Sequence, residues 1–377
     1  MKLLPARNKA LVFLFLALMA GVSACSGEQR PEANDTPATY LQQASAGIHT
    51  LQSWYVSSSG LYQTTGWWNS ANAITMLVNY SRVSATDTYL PVLTNTFQQA
   101  QIKYSGFLNT YYDDEGWWAL AWIDAYDLTK NPQYLAMAES IFADMAAGWD
   151  TTMCGGGIWW SKDRKNKNAI ANELFLSVAG HLANRVHDPV RSGRYLSLAE
   201  KEWQWFRDSG MINSRFLVND GLNAASPSGC VNDGKRTWSY NQGVILAGLV
   251  ELNRAKPDPK LATMARAIAV AAILHLSDAA GILHDPCEPK CGADGIQFKG
   301  IFVRNLMALN DAFPDPQYVR FVDANADSIW ANSRGADNQL GLVWSGPYDA
   351  EGAGSQSSAL DALVAAAEMS KSRTSAH

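Results

Sequence analysis

The chain has 377 residues, with 30 Lys plus Arg against 35 Asp plus Glu, a net charge of −5, 47% apolar residues and 17% charged ones. That balance excludes a disordered chain, and the absence of a basic surplus argues against a nucleic-acid partner. The 14 Trp, 14 Tyr and 12 Phe must fill a core, a cleft or both, and the length exceeds the usual limit of about 250–300 residues for one core, so two domains or one large repeating architecture is required.

The chain opens on a targeting segment. Lys2, Arg7 and Lys9 precede a short apolar run, Ala10 to Val22, and small residues follow. The run falls short of the roughly 18 apolar residues of a spanning helix. Val22-Ser23-Ala24-Cys25 resembles a bacterial lipobox. Residues 1–24 are therefore expected to be a signal peptide, with Cys25 lipidated. Residues 25–37, polar and containing Pro31 and Pro37, are expected to be a flexible tether. This places the protein on a bacterial envelope, at the outer membrane or cell surface in preference to the inner membrane, with the lipid as its only membrane contact.

Beyond residue 38 the chain repeats. Apolar, Ala- and Leu-rich segments open with aromatic or amide residues, and the markers Trp67, Trp117, Asn168, Asn241, Phe298 and Gln356 stand 50 to 73 residues apart. More polar helical patterns alternate with them at 38–54, 88–105, 132–148, 192–208, 259–277 and 315–332. A segment such as Val244 to Val250 is apolar all round and must be buried, whereas its partners are amphipathic. Six buried helices ringed by six half-exposed ones predict an all-α (α/α)6 barrel over residues 38–372, forming one domain and a monomer. The alternative, an open helical solenoid, lacks an evident polar capping pair. Short β pieces are possible near 157–160 and 342–344.

In such a toroid the starts of the inner helices share one face, and there the aromatic, amide and acidic residues gather. Aromatic plates suit the C–H faces of sugars, and amides and carboxylates suit their hydroxyls. Trp67, Asn72, Tyr112, Trp117 and Trp118 are the cleft candidates from the first two inner helices. The sharpest element is Tyr111-Tyr112-Asp113-Asp114-Glu115-Gly116-Trp117-Trp118. Two acids at a helix start ordinarily cap it. Within an aromatic wall they instead supply what glycoside cleavage needs, one ionised and one protonated carboxyl. Their adjacency suits the close spacing of a retaining reaction. Neighbours on a helix diverge by about 100°, so the pair is expected at an irregular entry permitted by Gly116. Asp124 follows at helical spacing and either supports the pair or is an ordinary polar position.

The four cysteines Cys154, Cys230, Cys287 and Cys291 allow three pairings. The closeness of Cys287 and Cys291 favours joining them, which leaves Cys154 with Cys230. A metal site with His284 is the rival, but it lacks a fourth ligand, and no metal or other cofactor is expected.

The stretch 111–126 resembles the signature of glycoside hydrolase family 76, the endo-α-1,6-mannanases. The likeness extends through Trp68-Asn69-Ser70-Ala71-Asn72, Gly155 to Trp160, Lys167 to Glu173, Thr237 to Gly243, Lys299-Gly300 and Gln356 to Ala359, roughly residues 40–370. The resemblance implies an (α/α)6 barrel, Asp113 as nucleophile, Asp114 as general acid/base, and a retaining reaction on α-1,6-linked mannan. It also implies cleft positions for Glu173, Tyr240, Asn241, Gln242 and Lys299. A transglycosidase using the same two acids, or a non-catalytic glycan-binding lipoprotein, are the competing readings. A sugar epimerase would need paired His bases, and none stand at the inner helix starts.

Overall fold

The computed structural model describes residues 37–226, 229–349 and 352–374. The leader, Cys25 and the tether up to residue 36 lie outside these. Among the described residues the chain alternates outer and inner helices. The outer set is α1 (Pro37–Gln52), α3 (Leu90–Gln99), α5 (Pro132–Ala147), α7 (Pro189–Asp208), α9 (Pro259–His275) and α12 (Pro316–Asn332). The inner set is α2 (Trp67–Ser84), α4 (Tyr112–Thr129), α6 (Ala169–Arg185), α8 (Ser239–Ala255), α11 (Phe298–Ala312) and α13 (Ala353–Thr374). A single turn, α10 (Gly292–Gly295), precedes α11.

Each inner helix packs on the next, and α13 returns to pack on α2. The fold is thus a closed (α/α)6 ring and not an open solenoid. Closure buries most positions of the inner helices, which is why they carry apolar residues on all sides. Four outer helices start the same way. Asn131-Pro132, Asp188-Pro189, Asp258-Pro259 and Asp315-Pro316 place a side-chain oxygen on a free backbone N–H and a proline in the first turn.

A second repeated device joins the layers. After an outer helix the chain forms an isolated β-bridge containing a buried aliphatic residue: Ile158, Val218, Leu283 or Leu340. The backbone of that residue is then held by a polar side chain of the following inner helix. Asn172 bonds Ile158 N–H at 2.8 Å, Gln242 bonds Val218 N–H at 2.7 Å, and Gln356 bonds Leu340 N–H at 2.7 Å. In the remaining repeat the Lys299 ammonium reaches Leu283 O at 3.3 Å and Leu342 O at 2.7 Å. Buried loop backbone requires such partners. The expected β pieces reduce to the bridge at Ile158. Residues 342–344 form no strand, and the described strands are two hairpins, Tyr55–Val56 with Leu61–Tyr62 and Leu222–Ser226 with Gly229–Asn232. Cys154 is bonded to Cys230 and Cys287 to Cys291, with Cα separations of 5.1 and 4.7 Å.

The inner helices approach most closely at glycines. A Cβ on Gly243 would stand 2.6 Å from Phe302 Cα and 3.0 Å from Ile301 O, on backbone that cannot give way. Gly193 on α7, by contrast, faces open space. Gly243→Ala should therefore cost about 1–3 kcal/mol, a fall of roughly 1–4 °C in Tm by calorimetry. Gly193→Ala should leave Tm unchanged or raise it. Equal Tm values for the two variants would contradict this packing.

Candidate active site

The starts of the inner helices do share one face, and a cavity of about 740 Å³ opens there. Its floor is a chain of aromatic rings from four inner helices. Trp68 stacks on Trp117 at 5.6 Å, Trp117 on Tyr240 at 6.4 Å, and Tyr240 on Phe298 at 3.8 Å. Trp238 meets Phe298 edge-on. Asp113 and Asp114 line the cavity beside these rings.

The pair sits in the first turn of α4. Tyr111 is extended and the helix begins regularly at Tyr112, so no irregular entry is needed. Both side chains reach the cleft because the helix end itself opens into it. Gly116 serves packing instead, since a Cβ there would stand 2.8 Å from Leu174 Cβ. Each acid has its own holder. Trp160 Nε1–H donates to Asp113 Oδ2 at 2.9 Å, and Asn109 Nδ2–H donates to Asp114 Oδ2 at 2.6 Å. The holders are themselves fixed. Tyr112 N–H donates to Trp160 O at 3.0 Å. Glu115 Oε1 takes Asn109 N–H at 3.1 Å and the Lys162 ammonium at 2.7 Å, and Lys162 also pairs with Asp144. Asp113 Oδ1 is buried without a hydrogen bond.

Burial, and then the neighbouring Asp114 carboxylate, push the Asp113 carboxyl up to about 8 against the Trp160 bond. Burial pushes Asp114 up to about 6, with Asn109 opposing and Asp294 adding. Between those limits the two acids hold one proton between them. Three further carboxylates, Asp220, Asp233 and Asp294, line the cavity. Of its cations, Lys235 pairs with Asp233 at 3.6 Å, and Lys167 is buried against the carbonyls of Met153 and Gly156.

Asp113, Asp114, Trp117 and Tyr240 thus stand together in the cleft, while the other cleft candidates lie elsewhere. Trp67 and Trp118 pack on each other in the core, at 5.3 Å. Tyr112 is buried beneath the Lys162 ammonium. Asn72 accepts from Arg304 inside the ring. Gln242 and Lys299 hold the bridge loops described above, and Lys299 pairs with Glu288 at 2.5 Å. Glu173 and Asn241 are fully buried and their polar side-chain atoms make no hydrogen bond; burial pushes Glu173 well above the usual carboxylate range. Asp124 faces a separate cavity of about 330 Å³ lined from the C-terminal halves of inner helices, with Arg82, Arg185 and Arg304. One reason covers these departures: at 100° per residue, only one or two side chains of each helix start face the opening. Of the residues that sequence reasoning missed, Asn109 and Asp220 sit on loops and Asp294 on the single-turn α10, none with a periodicity to read, and Trp160 stands out only as part of a motif.

The sequence profile of glycosyl hydrolase family 76 matches residues 33–376. The mannan endo-1,6-alpha-mannosidase DCW1 of Candida albicans is 28% identical over 333 residues, covering 79% of this chain and 72% of its own. DFG5 of the same organism, also a mannan endo-1,6-alpha-mannosidase, is 27% identical over 331 residues, with 79% and 72% covered. Among solved structures, the GH76A alpha-1,6-mannanase of Salegentibacter sp. HEL1_6 superposes with a TM-score of 0.79 at 22% identity, covering 88% of this chain and 99% of its own. An inactive variant of that enzyme, with two consecutive aspartates changed to asparagine, is in complex with alpha-1,6-mannotriose.

The holders give parallel tests of one geometry. Asn109→Ala removes a bond to the ionised form of Asp114 and should raise its midpoint by about one unit. Trp160→Phe should do the same to Asp113. Carboxyl ¹³C NMR titration of the substrate-free protein reads both, and midpoints equal to wild type would refute the assignment.

Proposed function

The chain belongs to glycosyl hydrolase family 76 and is a glycoside hydrolase, and on that premise we propose that it cleaves α-1,6-mannosidic linkages within mannan, with retention of configuration. The observation that carries this reading is the half-buried Asp113–Asp114 pair beside the stacked rings of Trp68, Trp117, Tyr240 and Phe298. The rings accept the C–H faces of mannose units, and the two acids hold the single proton that the reaction moves.

Asp113 attacks the anomeric carbon as Asp114 gives its proton to the leaving O6, which breaks the C1–O6 bond and forms a mannosyl ester on Asp113. Asp114 then takes a proton from water, whose oxygen attacks C1 and frees Asp113. Near neutrality the pair holds one proton between its two carboxyl groups. Positive charge developing on the bound sugar lies against Asp113, stabilises its ionised form and sends the proton to Asp114. A sugar hydroxyl in place of water would give transfer, and the same site serves both outcomes. The inactive double-aspartate variant of the Salegentibacter enzyme, with α-1,6-mannotriose bound, supports the pair's role.

The same reading assigns residues 1–24 to a signal peptide, residues 25–37 to a tether lipidated at Cys25, and residues 38–372 to one monomeric catalytic domain on the bacterial envelope. The two disulfides suit an oxidising compartment outside the cytosol. No metal or cofactor takes part in the proposed steps.

Incubation with α-1,6-mannan followed by product sizing tests the activity. The wild type should release short manno-oligosaccharides. Asp113→Asn and Asp114→Asn should each lose about three or more orders of magnitude in kcat while the fold is kept. The wild-type pH profile of kcat/KM should be a bell. Its acid limb should lie near about 6, below which the pair gains a second proton. Its alkaline limb should lie near about 8, above which the pair loses its last. Near-normal turnover in either variant removes that residue from the mechanism.

A further inference from the structure

The cleft holds a carboxylate that the reaction as written does not use. Asp294 lies on α10, between the Cys287–Cys291 disulfide and α11. Its Oδ1 accepts the indole N–H of Trp68 at 2.9 Å, across 226 positions of sequence. Trp68 is the ring that stacks on Trp117 and borders Phe298 at 6.4 Å. The loop beneath Asp294 is clamped: a Cβ on the next residue, Gly295, would stand 2.8 Å from Cys291 Cβ and 3.1 Å from Cys287 Sγ. The disulfide therefore seats the short turn hard against itself, and the turn presents Asp294 to the cavity that Asp113 and Asp114 also line.

We propose that Asp294 is a positioning residue for the reaction, which fixes Trp68 as a sugar platform through its indole N–H and sets a third carboxylate in the cavity that Asp114 lines, so that the acid retains its proton for the leaving oxygen. This rests on the reading of Asp114 as general acid/base. The two roles are separable, because a carboxamide oxygen can accept the indole N–H as a carboxylate does but carries no charge. Asp294 is among the groups acting on Asp114, and its charge opposes loss of Asp114's proton. The other titratable groups facing the cleft are Tyr111, Asp113, Asp220, Asp233, Lys235, Lys167 and Tyr240.

The test compares Asp294→Asn with Asp294→Ala on α-1,6-mannan across pH, alongside the indole ¹H–¹⁵N signal of Trp68 in the substrate-free protein, assigned with Trp68→Phe. Asp294→Asn should move the acid limb of kcat/KM, the limb set by Asp114, down by about half a pH unit, with the Trp68 signal still hydrogen-bonded. Asp294→Ala should move the limb equally. It should also raise KM about five-fold or more and shift the Trp68 signal to that of a solvent-exchanging indole. A pH profile of Asp294→Asn superimposable on wild type overturns the electrostatic role. A Trp68 signal unmoved in Asp294→Ala overturns the platform role. If the wild type leaves α-1,6-mannan intact, the function reading falls, and the indole signal still decides whether Asp294 holds Trp68.

Discussion

Two carboxyl groups on consecutive residues, both taken largely out of water, cannot both be ionised without a large penalty. The architecture of this protein serves that constraint. The first turn of α4 presents free backbone N–H groups and the positive end of its dipole to Asp113 and Asp114, which favours negative charge there. Burial in the aromatic floor opposes a second charge. The balance leaves one proton on the pair near neutrality, the state from which acid and nucleophile can be drawn together. Ring closure is what makes this possible. Six helix starts meet at one face only because α13 comes back to α2.

The pair is steered by loops more than by helices. Trp160 and Asn109 each hold one acid, and they reach it from the bridge after α5 and the turn before α4. Glu115, the third acid of the motif, turns away from the cleft and holds Asn109 through its backbone. One short run of sequence thus supplies both the chemistry and part of its support. The disulfides sit on the same rim. Cys154–Cys230 ties the bridge loop after α5 to the hairpin before α8, and Cys287–Cys291 carries the turn with Asp294.

Much of the fold was legible in the sequence because helical periodicity and a repeat of apolar segments are properties of the chain alone. Six inner and six outer helices follow from them, and the acid pair was visible as a motif. The facing of individual side chains was not. Gln242 and Lys299 look like sugar ligands when read as polar residues at a helix start, yet both satisfy buried backbone of the preceding bridge, Val218 and Leu283. Asp124 shares a helix with the pair, but its side chain faces a cavity lined from the far halves of inner helices. Asp220 and Asp294 gave no signal, since an acid on a loop or a single helical turn has no period to place it. Wherever a buried loop must be held, a polar residue on an inner helix is drawn to it first, and only the residues left over face the substrate.

The central claim is that two adjacent acids work by direct attack, and the stereochemistry of the first product tests it most directly. Proton NMR of α-1,6-mannan digestion, recorded before mutarotation equilibrates the ends, should show α-configured reducing ends appearing first, since two inversions restore the starting configuration. A β-anomer appearing first would mean that water attacks the sugar in one step, with a base other than Asp113 as its activator.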